Sequence, residues 1–101
     1  MEKDLTLTEL FDLYGGLLTE RQRELFSSYY VYDLSLAEIA EPEGKTRQNV
    51  YEQVKKVKEK LIGYENVLHL KEKNDNLKTL AKEIESVDGA LSEKIIEIIG
   101  G

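Results

Sequence analysis

The stretch "TRQNVYEQVKK", Thr46 to Lys56, carries the side chains that a reader of nucleic acid uses. A guanidinium matches the O6/N7 edge of guanine, and a carboxamide matches the N6/N7 edge of adenine. Arg47 and Gln48 supply one of each. Ammonium and phenol groups hold phosphates, which sets register without reading sequence. Tyr51, Lys55 and Lys56 follow in that role, and Thr46 can cap the helix and also touch the backbone of the ligand. Thr46, Arg47, Gln48, Tyr51, Glu52 and Lys55 are the positions expected to face outward. The charge balance points the same way. The chain has a formal net charge of −6. Residues 1–41 carry three basic and nine acidic side chains, residues 61–101 five and eight, but residues 42–60 six and three. The one basic island on an acidic body coincides with this stretch and can steer a polyanion to one face.

Such side chains work only on a helix held at a fixed angle. The residues just upstream meet that demand. A small residue in a first helix allows close approach, a glycine four positions later makes the turn, and an aliphatic residue six further on packs the second helix back. Ala40, Gly44 and Val50 stand at those positions, with Ile39 beside the alanine and Val54 one turn beyond Val50. This is the spacing of a helix-turn-helix over about residues 35–56, whose second helix enters the major groove. Its turn is unusually polar: Pro42, Glu43 and Lys45 occupy it. Polar residues there predict a weaker core beneath the turn and a less firmly presented second helix.

The remaining elements also read as helices. Thr6 with Glu9 has the form of a capping box, and Leu7, Leu10, Phe11 and Tyr14 mark a buried stripe over residues 7–17. Gly15-Gly16 is expected to stop that helix by adopting a left-handed conformation. Thr19 with Gln22 opens a second helix over residues 20–32, with Gln22, Leu25, Phe26, Tyr29 and Tyr30 on its inner side. The cluster "FSSYYVY" resembles a stacking platform for bases, but its helical spacing favours core packing. Ser35 with Glu38 opens a short third helix over residues 36–41, limited by Pro42. From Thr46 onward Val50, Val54, Val57, Leu61, Tyr64 and Leu68 recur at intervals of four and three, a heptad-like seam. Gly63 is a candidate break. A fifth helix is expected after Asn74-Asp75-Asn76, presenting Leu77, Leu80, Ala81, Ile84 and Val87. After an Asp88-Gly89 turn, a last helix covers residues 92–99. No hairpin signal is present, so the predicted class is all-α. Residues 1–70 are assigned to the helix-turn-helix domain. Residues 71–101 are read as a C-terminal helical extension, either part of the same domain or a dimerisation element.

Several function classes are disfavoured. The chain has no cysteine, which removes disulfides and thiolate metal sites. His69 is the only histidine and stands among aliphatic residues. Gly15-Gly16 lacks the lysine and spacing of a phosphate loop. The carboxylates show no convergent pair. We therefore expect no enzyme, no catalytic residue, no cofactor and no metal. The opening "MEKDLTLTEL" lacks the basic and apolar regions of a signal peptide, and no apolar run is long enough for membrane insertion. The expected location is the cytoplasm.

The segments "LTERQRELFSSYYVYDLSLAEIAE" and "TRQNVYEQVKKVKEKLIGYENVLHL" resemble the small bacterial YlxM-type helix-turn-helix proteins. These are encoded beside the signal-recognition-particle GTPase Ffh. The resemblance covers about Leu7 to Leu70 and includes Leu18-Thr19, Tyr29-Tyr30, Glu38-Ile39-Ala40, Arg47-Gln48 and Val50-Tyr51. It implies an all-α helix-turn-helix bundle similar to region 4 of bacterial sigma factors, and a regulatory part in the signal recognition particle pathway. It implies nucleic-acid contacts along Thr46 to Lys56. The "EPEGK" turn departs from the apolar residue usual in the family. The partner expectations are DNA or the particle's RNA, possession of a contact with the GTPase Ffh, and a homodimer. An adaptor that uses its acidic surface on the GTPase, and dimerises through the heptad seam or the isoleucine-rich last helix, is the competing reading.

Overall fold

The structure is a computed structural model and describes residues 5–85 and 87–100. Six α-helices and no strand occur among the described residues. They are α1 (Leu5–Tyr14), α2 (Glu20–Phe26), α3 (Leu36–Ala40), α4 (Arg47–Leu68), α5 (Leu70–Glu85) and α6 (Gly89–Ile99). The chain forms two compact units, one ending at Leu68 and the other starting at His69.

In the first unit α1, α2 and α3 each pack on α4. Leu7, Leu10 and Tyr14 of α1 meet Val50, Val54, Val57 and Leu61 of α4 in one core, with Leu25, Phe26, Tyr29, Ile39 and Ala40. Full burial of each large apolar side chain contributes about 1.5–3 kcal/mol. The aromatic cluster belongs to this core. Phe26 stacks on Phe11 at 4.3 Å and on Tyr30 at 4.6 Å, and Tyr29 meets Tyr30 edge-on. The heptad-like seam is likewise internal from Val50 to Leu61. Over those residues it packs within the chain itself.

Two capping boxes form as read. The Thr19 hydroxyl accepts from the Gln22 N–H while the Gln22 side chain accepts from the Thr19 N–H. Ser35 and Glu38 do the same at α3. The Thr6–Glu9 pair does not open α1, because the helix already includes Leu5 and Thr6. The stop at Gly15-Gly16 has a different cause from the expected one. Neither glycine has positive φ. A 3-10 turn, Gly15–Leu17, follows α1, and a Cβ on Gly15 would lie 3.3 Å from the Phe11 ring. Close packing, and not a left-handed backbone, calls for glycine there.

Beyond Phe26 the second helix widens into a π turn, Ser27–Val31. The Tyr32 N–H donates to the Ser27 carbonyl at 2.8 Å. Asp33, at φ 61°, then turns the chain toward α3. Gly63 does not interrupt α4. The residues after it are tied down from α1 and its 3-10 turn: the Tyr14 hydroxyl donates to Glu65 Oε1 at 2.6 Å, and the Tyr64 hydroxyl donates to the Leu17 carbonyl at 3.5 Å.

In the second unit α5 packs on α6. Here α5 begins at Leu70, so Asn74, Asp75 and Asn76 lie inside the helix and not before it. Lys71 and Asp75 make an i,i+4 ion pair at 2.6 Å on this segment. The last helix begins at Gly89, three residues before the expected Ser92, because Asp88 caps it by accepting from the Leu91 N–H. Ser92 is buried and its hydroxyl donates to the Ala81 carbonyl at 2.7 Å. His69 is not helical: it stands at φ 56° ahead of α5, with its ring 3.1 Å from Glu72.

Candidate nucleic-acid interface

The turn that presents α4 is built from backbone hydrogen bonds. After Ala40 the helix tightens into a 3-10 turn, Glu41–Glu43, where Pro42 cannot donate an α-helical bond. Gly44 is left-handed at φ 64°. Its N–H donates to the Glu41 carbonyl, and the Lys45 N–H donates to the Ala40 carbonyl at 3.0 Å. These two bonds make a Schellman motif, which caps the chain end of a helix without an apolar contact from the side chain. Glu43 adds a second anchor. Its carboxylate takes a two-pronged bond from the Arg21 guanidinium of α2, at 2.5 and 2.6 Å. That hydrogen bond holds the Glu43 carboxyl below the ordinary carboxylate range. The polar turn thus ties α2 to the start of α4 through charge where an apolar residue would do so through packing.

Thr46 caps α4, its hydroxyl accepting from the Asn49 N–H at 3.0 Å. Val50 and Val54 are buried at 1% and 2% exposure, which fixes the rotation of the helix about its axis. Ile39 and Ala40 lie beneath them in the same core. Arg47, Gln48, Tyr51, Glu52, Lys55 and Lys56 are all exposed to solvent. A helix turns about 100° per residue. Arg47, Tyr51 and Lys55 therefore share a sector about 80° wide, with Gln48 at its edge. Lys56 points about 100° beyond Lys55 and does not join them. Lys58 falls inside the sector, between Arg47 and Tyr51, and was missed by the sequence reading. Its spacing, seven after Tyr51 and three after Lys55, was the available signal.

Among the described residues none of Arg47, Lys55, Lys56 and Lys58 forms an ion pair. Their charge is available to an external anion. Gln48 is engaged: its amide donates to Glu52 Oε1 at 2.9 Å. A ligand that pairs with the Gln48 carboxamide must replace that bond. Arg47, Gln48 and Tyr51 line a shallow recess with Leu36 of α3. The arrangement can place one guanidinium, one carboxamide and one phenol against the edges of bases, with ammonium groups along the flanking phosphates.

No cluster of three or more His, Asp or Glu suited to a metal ion exists among the described residues. No helix there is long and apolar enough to cross a membrane.

The family profile described as "Putative helix-turn-helix protein, YlxM / p13 like" (UPF0122) matches residues 1–99. A UPF0122 protein of Clostridium kluyveri is 42% identical over 100 residues, which cover 98% of this chain and 90% of that protein. One from Halalkalibacterium halodurans is 39% identical over 101 residues, covering 98% and 93%. One from Caldanaerobacter subterraneus is 43% identical over 88 residues, covering 86% and 73%.

Proposed function

The chain belongs to the YlxM/p13-like helix-turn-helix family, and from that premise we propose that it is a non-enzymatic nucleic-acid-binding regulator. Its target is DNA or the RNA of the signal recognition particle, and its place is in the particle's pathway in the cytoplasm. The observation that carries this reading is the outward sector of α4. Arg47, Tyr51 and Lys55 stand exposed beside the half-buried Lys58, all without ion pairs, on a helix whose rotation is fixed by the buried Val50 and Val54. Arg47 and Gln48 read base edges; Lys55 and Lys58 follow the phosphates. The acidic remainder of the chain repels a polyanion everywhere else and so restricts binding to this face.

The test is a salt titration of binding, run on duplex DNA and on the particle RNA in parallel. Affinity falls steeply with salt, because neutralised phosphates release counterions. Arg47→Ala lowers affinity by about 5- to 150-fold, the equivalent of about 1–3 kcal/mol for a side chain on a base edge. Lys55→Glu lowers it on every sequence and flattens the salt slope. Gel shifts unchanged in both variants exclude this surface.

A further inference from the structure

Next to the base-reading residues lies a hollow of about 210 Å³ between α4 and the π turn that follows α2. Tyr30, Tyr51, Val54 and Ile62 give it an apolar lining. Lys55 and Lys58, with Glu59, supply its charged lining. Tyr51 is shared: its other neighbours are Arg47 and Gln48 in the shallow recess. The hollow is smaller than the roughly 300–1,000 Å³ pockets that hold drug-sized ligands, so it suits one ring system and not a whole cofactor.

The mixture of linings decides what that ring system is. A phosphate group would be served by Lys55 and Lys58 alone and gains nothing from Tyr30, Val54 and Ile62. An uncharged apolar side chain would be served by the tyrosines and Ile62 and gains nothing from the lysines. A nucleobase still attached to its strand uses both, with its flat face against tyrosine and its phosphates against ammonium groups. In a duplex the bases are paired and stacked, so none can enter. A-form RNA has a major groove too deep and narrow for side chains, and proteins read RNA through unpaired bases splayed out of loops and bulges.

We propose that this hollow receives one unpaired base of a structured RNA. This inference rests on the nucleic-acid reading above and narrows its target to RNA with a loop or bulge next to a stem. Along the axis of α4, Arg47 and Lys58 are about 16 Å apart at 1.5 Å per residue. Arg47 therefore lies against the phosphates of the stem while the hollow takes the base beyond its end.

The experiment uses the full chain and a hairpin RNA carrying 2-aminopurine in its unpaired loop. The same stem as a blunt RNA duplex and an equivalent DNA duplex serve as comparison ligands. The hairpin binds about tenfold more tightly than either duplex, in the range of one base stacked on an aromatic ring. Its 2-aminopurine fluorescence is quenched on binding. Tyr51→Ala, at an exposed position, removes both the preference and the quenching, and Ile62→Ala weakens them. Arg47→Ala lowers hairpin and duplex affinity by the same factor and leaves their ratio intact. Equal affinity for hairpin and duplexes, or a preference that survives Tyr51→Ala, overturns the base-binding hollow but leaves the nucleic-acid reading standing. Absence of binding to all of the ligands overturns both.

Discussion

Up to Leu68, thirteen apolar side chains close into one core. From His69 onward, full burial among the described residues is reached only at Ala81 and Ser92. Leu77, Leu80 and Leu91 of the second unit are 39–46% exposed, and Ile98 is 84% exposed. The first unit draws its cohesion from apolar packing. The second relies on an N-cap, one buried hydroxyl-to-carbonyl bond and the half-buried Ile84, Ile95, Ile96 and Ile99. Segments with few buried contacts open at lower free energy than packed cores. The face assigned to nucleic acid is therefore mounted on the more cohesive unit, as a site that depends on fixed geometry requires.

The contrast can be tested by disturbing each unit in turn. Phe26→Ala has the largest expected effect. It empties a fully buried site between Phe11 and Tyr30 and costs about 3–5 kcal/mol, read by urea denaturation. Amide exchange in α5 and α6 stays unchanged; if it accelerates equally, the two units unfold as one and the contrast fails. Gly44→Ala comes next, at about 1–2 kcal/mol, from the left-handed backbone alone. The space around its Cβ is open. Its signature is loss of stability in the first unit together with weaker nucleic-acid binding.

Asp88→Ala is the mirror experiment. Loss of the N-cap costs about 1 kcal/mol and should speed amide exchange in α6 while leaving the urea midpoint of the first unit in place. The smallest effect is expected from acid. The folded carboxyl of Glu43 titrates below its unfolded value because Arg21 hydrogen-bonds it. Its stabilising contribution is thus complete above the unfolded carboxylate pKa and is lost as pH falls through the lower folded one. Glu43→Gln should flatten that part of the pH–stability curve of the first unit, measured by urea midpoints at successive pH values, and leave α5 and α6 unaffected.

The parts of this fold that follow local chemistry were legible in the sequence. The side chains of Thr19 and Gln22, and of Ser35 and Glu38, bond within four residues, so each pattern carries its own geometry. Ala40, Gly44 and Val50 were readable as the motif because each position has one steric requirement. Where distant contacts decide, the sequence was silent. Gly63 continues the helix because Tyr14 and Leu17 hold the residues after it, some fifty positions away. Asn74 to Asn76 resembled a break, yet lie in a helix supported by the Lys71–Asp75 pair. Glu43 looked out of place until Arg21, in another helix, proved to be its partner. The outward positions of α4 could be named from periodicity. The hollow beside them could not, since its wall at Tyr30 comes from a different helix.

The widened turn at Ser27–Val31 makes chain length a specification in its own right. It holds one residue more than an α-helical turn, and removing that residue would restore ordinary winding. Everything downstream would then be rotated by about 100°, carrying Tyr32, Asp33 and the start of α3 to a new azimuth. A single-codon deletion here alters no core side chain by identity, yet it should disturb the seating of α3 on α4 more than most substitutions on the surface of α2.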